Sequence, residues 1–203
     1  MESPLSEIVR AVAPGCEISA ELEPLLAERV ASASVAWPGA AVDPGRFVRA
    51  IAERMAADRP AVRSVEAMQT DDLYLACGCA DGDPAALAAF EARCGAVIAR
   101  AIAASGASRA ERDDLGQVVR QRLLVAPAAG GAPRIAGYSA RGSLVSWVRV
   151  VAAREAARML PRARRERVDD DLASVIARDD DPEIGYLKRL YRSEFKRAFH
   201  AAV

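Results

Sequence analysis

The chain has 203 residues, 52% of them hydrophobic but only 5% aromatic, and 28 basic residues balance 28 acidic ones. No apolar run reaches the roughly 20 residues of a membrane span, and no basic stretch followed by an apolar core opens the sequence, so neither a membrane protein nor a secreted one is expected. Abundant alanine and few β-branched runs favour packed helices over sheets, so an all-α, cytoplasmic protein is expected.

Residues 1–69 read as an N-terminal helical extension. Within it, "ELEPLLAERVASASVAW" is one helix candidate, ending near "WPG". "DPGRFVRAIAERMAA" places Asp43 as N-cap and Pro44 at the first helical position, with Phe47, Ile51 and Met55 on one face. The next segment, 70–167, opens with "DDLYLACGCADGD". "GDPAALAAFEARCGAVIARAIAASG" then repeats the device with Asp83 and Pro84, carries Leu87, Phe90, Val97 and Ile98, and stops near Gly106. "SRAERDDLGQVVRQRLLV" starts on a capping box, Ser108 to Glu111, and continues with Leu115, Val118, Val119 and Leu123 at helical spacing.

"APAAGGAPRIAGYSARG" is too rich in glycine and proline to stay regular, and it is long enough to carry function. A helix resumes at Ser143, with Leu144, Trp147, Val148 and Val151 at i, i+3, i+4 and i+7. An acidic linker is expected over 168–182 and a C-terminal helix over 183–203, introduced by Asp181 and Pro182.

Cys16, Cys77, Cys79 and Cys94 form no C-x-x-C pair, and His200 is the only histidine. Buried, reduced thiols are therefore expected rather than a metal site. Asp113, Asp114 and the run Asp169–Asp171 lack a histidine or nucleophile beside them, so they read as solvated acids. Neither an enzyme nor a cofactor is expected.

The neutral total hides two opposite blocks. From Arg134 to Arg167 nine arginines (134, 141, 149, 154, 158, 162, 164, 165 and 167) meet only Glu155 and Glu166, for a net charge of +7. From Val168 to Glu183 the net charge is −6. At 100° per residue Arg154, Arg158, Arg162 and Arg165 fall within about an 80° fan, although Pro161 marks a kink or an end there. Such a stripe is either a solvated face or a surface for phosphates, which match the forked, permanently charged guanidinium. The acidic block reads as a mask for the stripe or a nucleic-acid mimic.

The order of these parts resembles the sigma-70 family of bacterial RNA polymerase initiation factors, closest to the extracytoplasmic-function type. "DDLYLACGCADGDPAALAAFEARC" resembles the opening of sigma region 2. "ERDDLGQVVRQRLL" is similar to its core-binding helix, and "GYSARGSLVSWVRVVAAREAARMLPRARR" to the loop and helix that melt and read the −10 promoter element. The resemblance covers about Asp71 to Arg167 and makes 70–167 a region-2-like domain.

The resemblance implies roles. Asp114 and Gln117 match the D-x-x-Q that contacts a coiled coil of the polymerase β′ subunit. The glutamate that usually follows is Val118 here. Gln121 and Arg122 complete the polymerase-facing set. Tyr138, Arg141 and Ser143 are placed to hold a flipped base of the −10 non-template strand by stacking and hydrogen bonds, with Gly142 allowing close approach. Trp147 matches the family's tryptophan, but its spacing with Leu144 and Val151 favours a core role over stacking on DNA. Arg149 and Arg154 stand where the family often has an aromatic and an asparagine, so melting is expected to lean on phosphate contacts from Arg149, Arg154, Arg158, Arg162 and Arg165.

The family's region 4, which reads the −35 element, has no counterpart after "YLKRLYRSEFKRAFHAAV". That leaves either a piece of a longer protein or a factor without −35 recognition. Core polymerase and promoter DNA are the implied partners, with an anti-sigma regulator also open. Two other functions stay open: a sigma-like interaction module that never opens DNA, and a helical protein that binds nucleic acid without sequence preference.

Overall fold

In the computed structural model, which describes residues 4–55 and 59–159, the helices that follow Asp43, Asp83 and Ser108 begin where the sequence places caps. The elements in chain order are α1 (Leu5–Val12), α2 (Leu22–Ala36), α3 (Pro44–Ala52), α4 (Ala61–Glu66), α5 (Thr70–Ala80), α6 (Pro84–Ala104), α7 (Arg109–Leu124), a 3-10 turn (Arg134–Gly137) and α8 (Leu144–Met159). No strand occurs among the described residues, and the fold is all-α.

Asp43 accepts the Arg46 N–H at 2.7 Å and Asp83 accepts the Ala86 N–H at 2.7 Å, each followed by proline at the first position. Each carboxylate satisfies a donor that the first helical turn leaves unpaired. Glu111 reaches back to accept the Ser108 N–H at 2.7 Å, one arm of the capping box that opens α7. α2 ends at Trp37 as the "WPG" boundary implies.

The helix expected to carry Met55 stops earlier, at Ala52. There the chain tightens, with the Arg54 N–H bonding to the Ile51 carbonyl at 3.0 Å. The Arg54 side chain then leaves the helix direction for carbonyls more than eighty positions along the chain.

α5 is the centre. It packs against α2, α3, α6, α8 and the 3-10 turn, and from Leu73 to Cys79 every residue is buried. A helix covered on all sides shows no polar face, which is why its sequence alternates so little. Cys77 and Cys79 point to different sides yet are both buried, as is Cys94. Desolvation pushes their thiols up to about 11, 12 and 11 respectively. At Gly78 a Cβ would meet the Ala86 Cβ at 2.7 Å, so glycine is what lets α6 start this close to α5.

Val9, Leu26, Phe47 and Ile51 belong to the same apolar cluster as Leu73, Phe90, Ile98, Leu123 and Val148. Both sides of the 69/70 boundary thus share one core. Residues 168–182, expected as an acidic linker, residues 183–203, expected as a C-terminal helix, and Arg162 and Arg165 lie outside the described residues. No helix among the described residues is long and apolar enough to cross a membrane.

Candidate nucleic-acid interface

The loop between the 3-10 turn and α8 is held from three directions. Arg54 donates from Nε to the Tyr138 carbonyl at 2.6 Å, and from its terminal nitrogens to the carbonyls of Ala136 at 2.5 Å and Ala50 at 2.8 Å. The Gln69 N–H donates to the Ala140 carbonyl at 2.8 Å. Ala140 is buried with φ of 58°, a left-handed conformation unusual for a residue other than glycine. The third hold is Asp72 on α5, whose Oδ2 accepts the Leu144 N–H at 2.7 Å while its Oδ1 accepts from Arg93 at 3.1 Å. The carboxylate sits on the N-terminus of α8, where unpaired N–H groups favour negative charge. Arg93 in turn lies over the Trp37 ring, 5.4 Å from its centroid, and Trp37 donates to the Asp71 carbonyl at 2.7 Å.

This construction decides what the expected readers do. Tyr138 is 1% exposed, its hydroxyl donates to the Gly142 carbonyl at 2.5 Å, and burial pushes the phenol pKa up. Its ring meets Trp147 edge to face at 5.8 Å, and Trp147 is half-buried against the core. The Tyr138 ring therefore occupies core space, and a base cannot stack on it in this conformation. Ser143 is the N-cap of α8: its hydroxyl accepts the Ser146 N–H at 3.2 Å and pairs with the Ser146 hydroxyl at 2.9 Å. What the loop offers to solvent is Ser139, Arg141 and Gly142.

Along α8, Arg154 and Arg158 are exposed and Arg149 is partly so. Arg158 donates to Glu155 at 3.1 Å. On α7, Asp114, Gln117 and Gln121 are exposed and Val118 is half-buried, on the side opposite the buried Leu115, Val119 and Leu123. Arg122 departs from that set: its guanidinium turns to Glu155 at 2.5 Å.

Sequence patterning assigns no site role to Asp72, Arg54, Arg134 or Glu155. Glu155 had a signal. It follows Val148 by seven and Val151 by four, at the centre of the apolar face of α8, and an acid there must be either paired or misplaced. Among the described residues no group of three or more His, Cys, Asp or Glu side chains could hold a metal ion. Comparison with family models, with curated proteins and with solved structures finds no match to this chain.

Proposed function

We propose that this chain acts in transcription initiation as a sigma-70-type polymerase subunit that engages the −10 non-template strand. The ordered trio of sequence segments is the source of the reading. The observation that supports it most is that two polar surfaces stand exposed, one on α7 and one on the loop and α8. α7 exposes Asp114, Gln117 and Gln121, and the pinned loop and α8 expose Arg141 and Arg154. A protein that must be held by one partner and touch another needs two such surfaces. Backbone phosphates take the α8 arginines, and an unstacked base meets the exposed loop residues Ser139, Arg141 and Gly142. The test is a pull-down of core polymerase with Asp114→Ala plus Gln117→Ala. Retained affinity in a normally helical variant would remove α7 as the holding face.

A second reading has one observation in its favour. With Tyr138 buried, the loop has no exposed aromatic for a base to stack on. That favours a nucleic-acid surface without sequence preference, which would bind equally well without polymerase.

A further inference from the structure

The apolar face of α8 carries one charge, Glu155, and its side chain is 2% exposed. Three guanidiniums converge on that carboxylate. Arg122, near the end of α7, reaches Oε2 at 2.5 Å. Arg134, from the 3-10 turn, and Arg158, one turn along α8 at 3.1 Å, both reach Oε1. One cation neutralises a carboxylate. With Arg158 assigned to it, Arg122 and Arg134 are surplus, and neither has another acidic partner among the described residues. Their side chains are 49% and 39% exposed, so they stand at the surface around a buried anchor. Glu155 offsets one of the three positive charges, so a net charge of +2 remains, and that remaining positive charge favours a further anion. Each guanidinium has five N–H donors, and Arg122 and Arg134 each give Glu155 one nitrogen.

We propose that Arg122, Arg134 and Arg158 form a phosphate-binding site, with Glu155 as the internal anchor that fixes the three guanidiniums before the ligand arrives. Forked donors held in advance suit the tetrahedral oxygens of a phosphate group, and prior fixation lowers the cost of ordering long side chains on binding. Arg134 opens the turn that leads into the 138–143 loop, so a strand lying along the loop and α8 would pass its phosphodiester over this site. The proposal moves Arg122 from the polymerase-facing set to the nucleic-acid side. It does not depend on polymerase, because the site is complete within this chain.

The full chain is tested alone, with inorganic phosphate against chloride at matched ionic strength, read as melting temperature, and with a labelled single-stranded oligonucleotide, read by anisotropy. Phosphate is expected to raise the wild-type melting temperature. Arg122→Gln plus Arg134→Gln is expected to abolish that rise and weaken the oligonucleotide about tenfold or more. Arg158 still pairs with Glu155 in this variant, so the buried charge stays neutralised. Arg63→Gln, an exposed residue paired with Glu66 on α4, should change neither reading. A response to the oligonucleotide alone identifies a phosphodiester as the ligand, and a response to inorganic phosphate alone identifies a free anion; both support the site. If neither probe binds the wild type, or if the double variant binds both probes as the wild type does, the arginines serve Glu155 only and the proposal is overturned.

Discussion

The Leu144 N–H donates to Asp72 Oδ2 at 2.7 Å, tying the start of α8 to a carboxylate on α5 seventy-two positions earlier. Asp72 also carries Arg93, and through Arg93 and Trp37 the end of α2. Asp72→Ala leaves a buried N–H without a partner and removes the carboxylate opposite Arg93. It should cost about 2–3 kcal/mol in urea unfolding. A loss under about 0.5 kcal/mol would mean the contact is not held in solution.

Tyr138 serves the loop as a strut. Tyr138→Phe keeps the ring against Trp147 and deletes the hydroxyl bond to Gly142, so about 1 kcal/mol of stability should be lost. Base discrimination on single strands should stay unchanged, because the hydroxyl faces the chain itself. A drop in discrimination with unchanged stability would make Tyr138 a reader after all.

Thiol chemistry tests the core. Cys77, Cys79 and Cys94 are buried with thiols raised to about 11, 12 and 11, whereas Cys16 is half-buried. At pH 8 a thiol reagent should titrate Cys16 quickly and the other three only as the protein unfolds. Several fast-reacting thiols in the native protein would mean that α5 is not enclosed.

Acid should release α1 first. Glu23 on α2 accepts the N–H groups of Leu5 at 2.9 Å and Ser6 at 2.8 Å, and these hydrogen bonds, that of Ser6 foremost, lower its pKa. A carboxyl with a depressed folded pKa contributes stability above its unfolded value and loses it as pH falls through the folded one. Hydrogen exchange in α1 should therefore accelerate below the ordinary carboxylate range. Glu23→Gln should show fast exchange already at neutral pH. An α1 equally protected at pH 3 and pH 7 would contradict this.

What the sequence made legible follows chain locality. Asp43, Asp83 and Ser108 announce helix starts within three or four residues of the groups they cap, so reading along the chain finds them. Arg54 acts across more than eighty positions on carbonyl groups, which have no residue-type signature, and nothing local points to it. Tyr138 and Ser143 have the chemistry of readers, and only burial and hydrogen-bond partners show where that chemistry is directed. The arginine count was legible too, but it drew attention to solvent and phosphates and away from Glu155, whose place on the apolar face of α8 organises three of the arginines.

The proposed sigma-type role requires that the polymerase-bound chain hold a −10 strand by phosphate contacts from α8 and read it with the loop. A salt titration of the polymerase-bound chain on matched and mismatched non-template strands tests this most directly. Arg149→Ala plus Arg154→Ala should weaken both strands alike and flatten the salt slope by about one to two units. Arg141→Ala should leave most of the slope and cost about 1–3 kcal/mol of discrimination between the strands. Equal losses from both variants on every sequence, with or without polymerase, would contradict the claim and leave a surface for nucleic acid of any sequence.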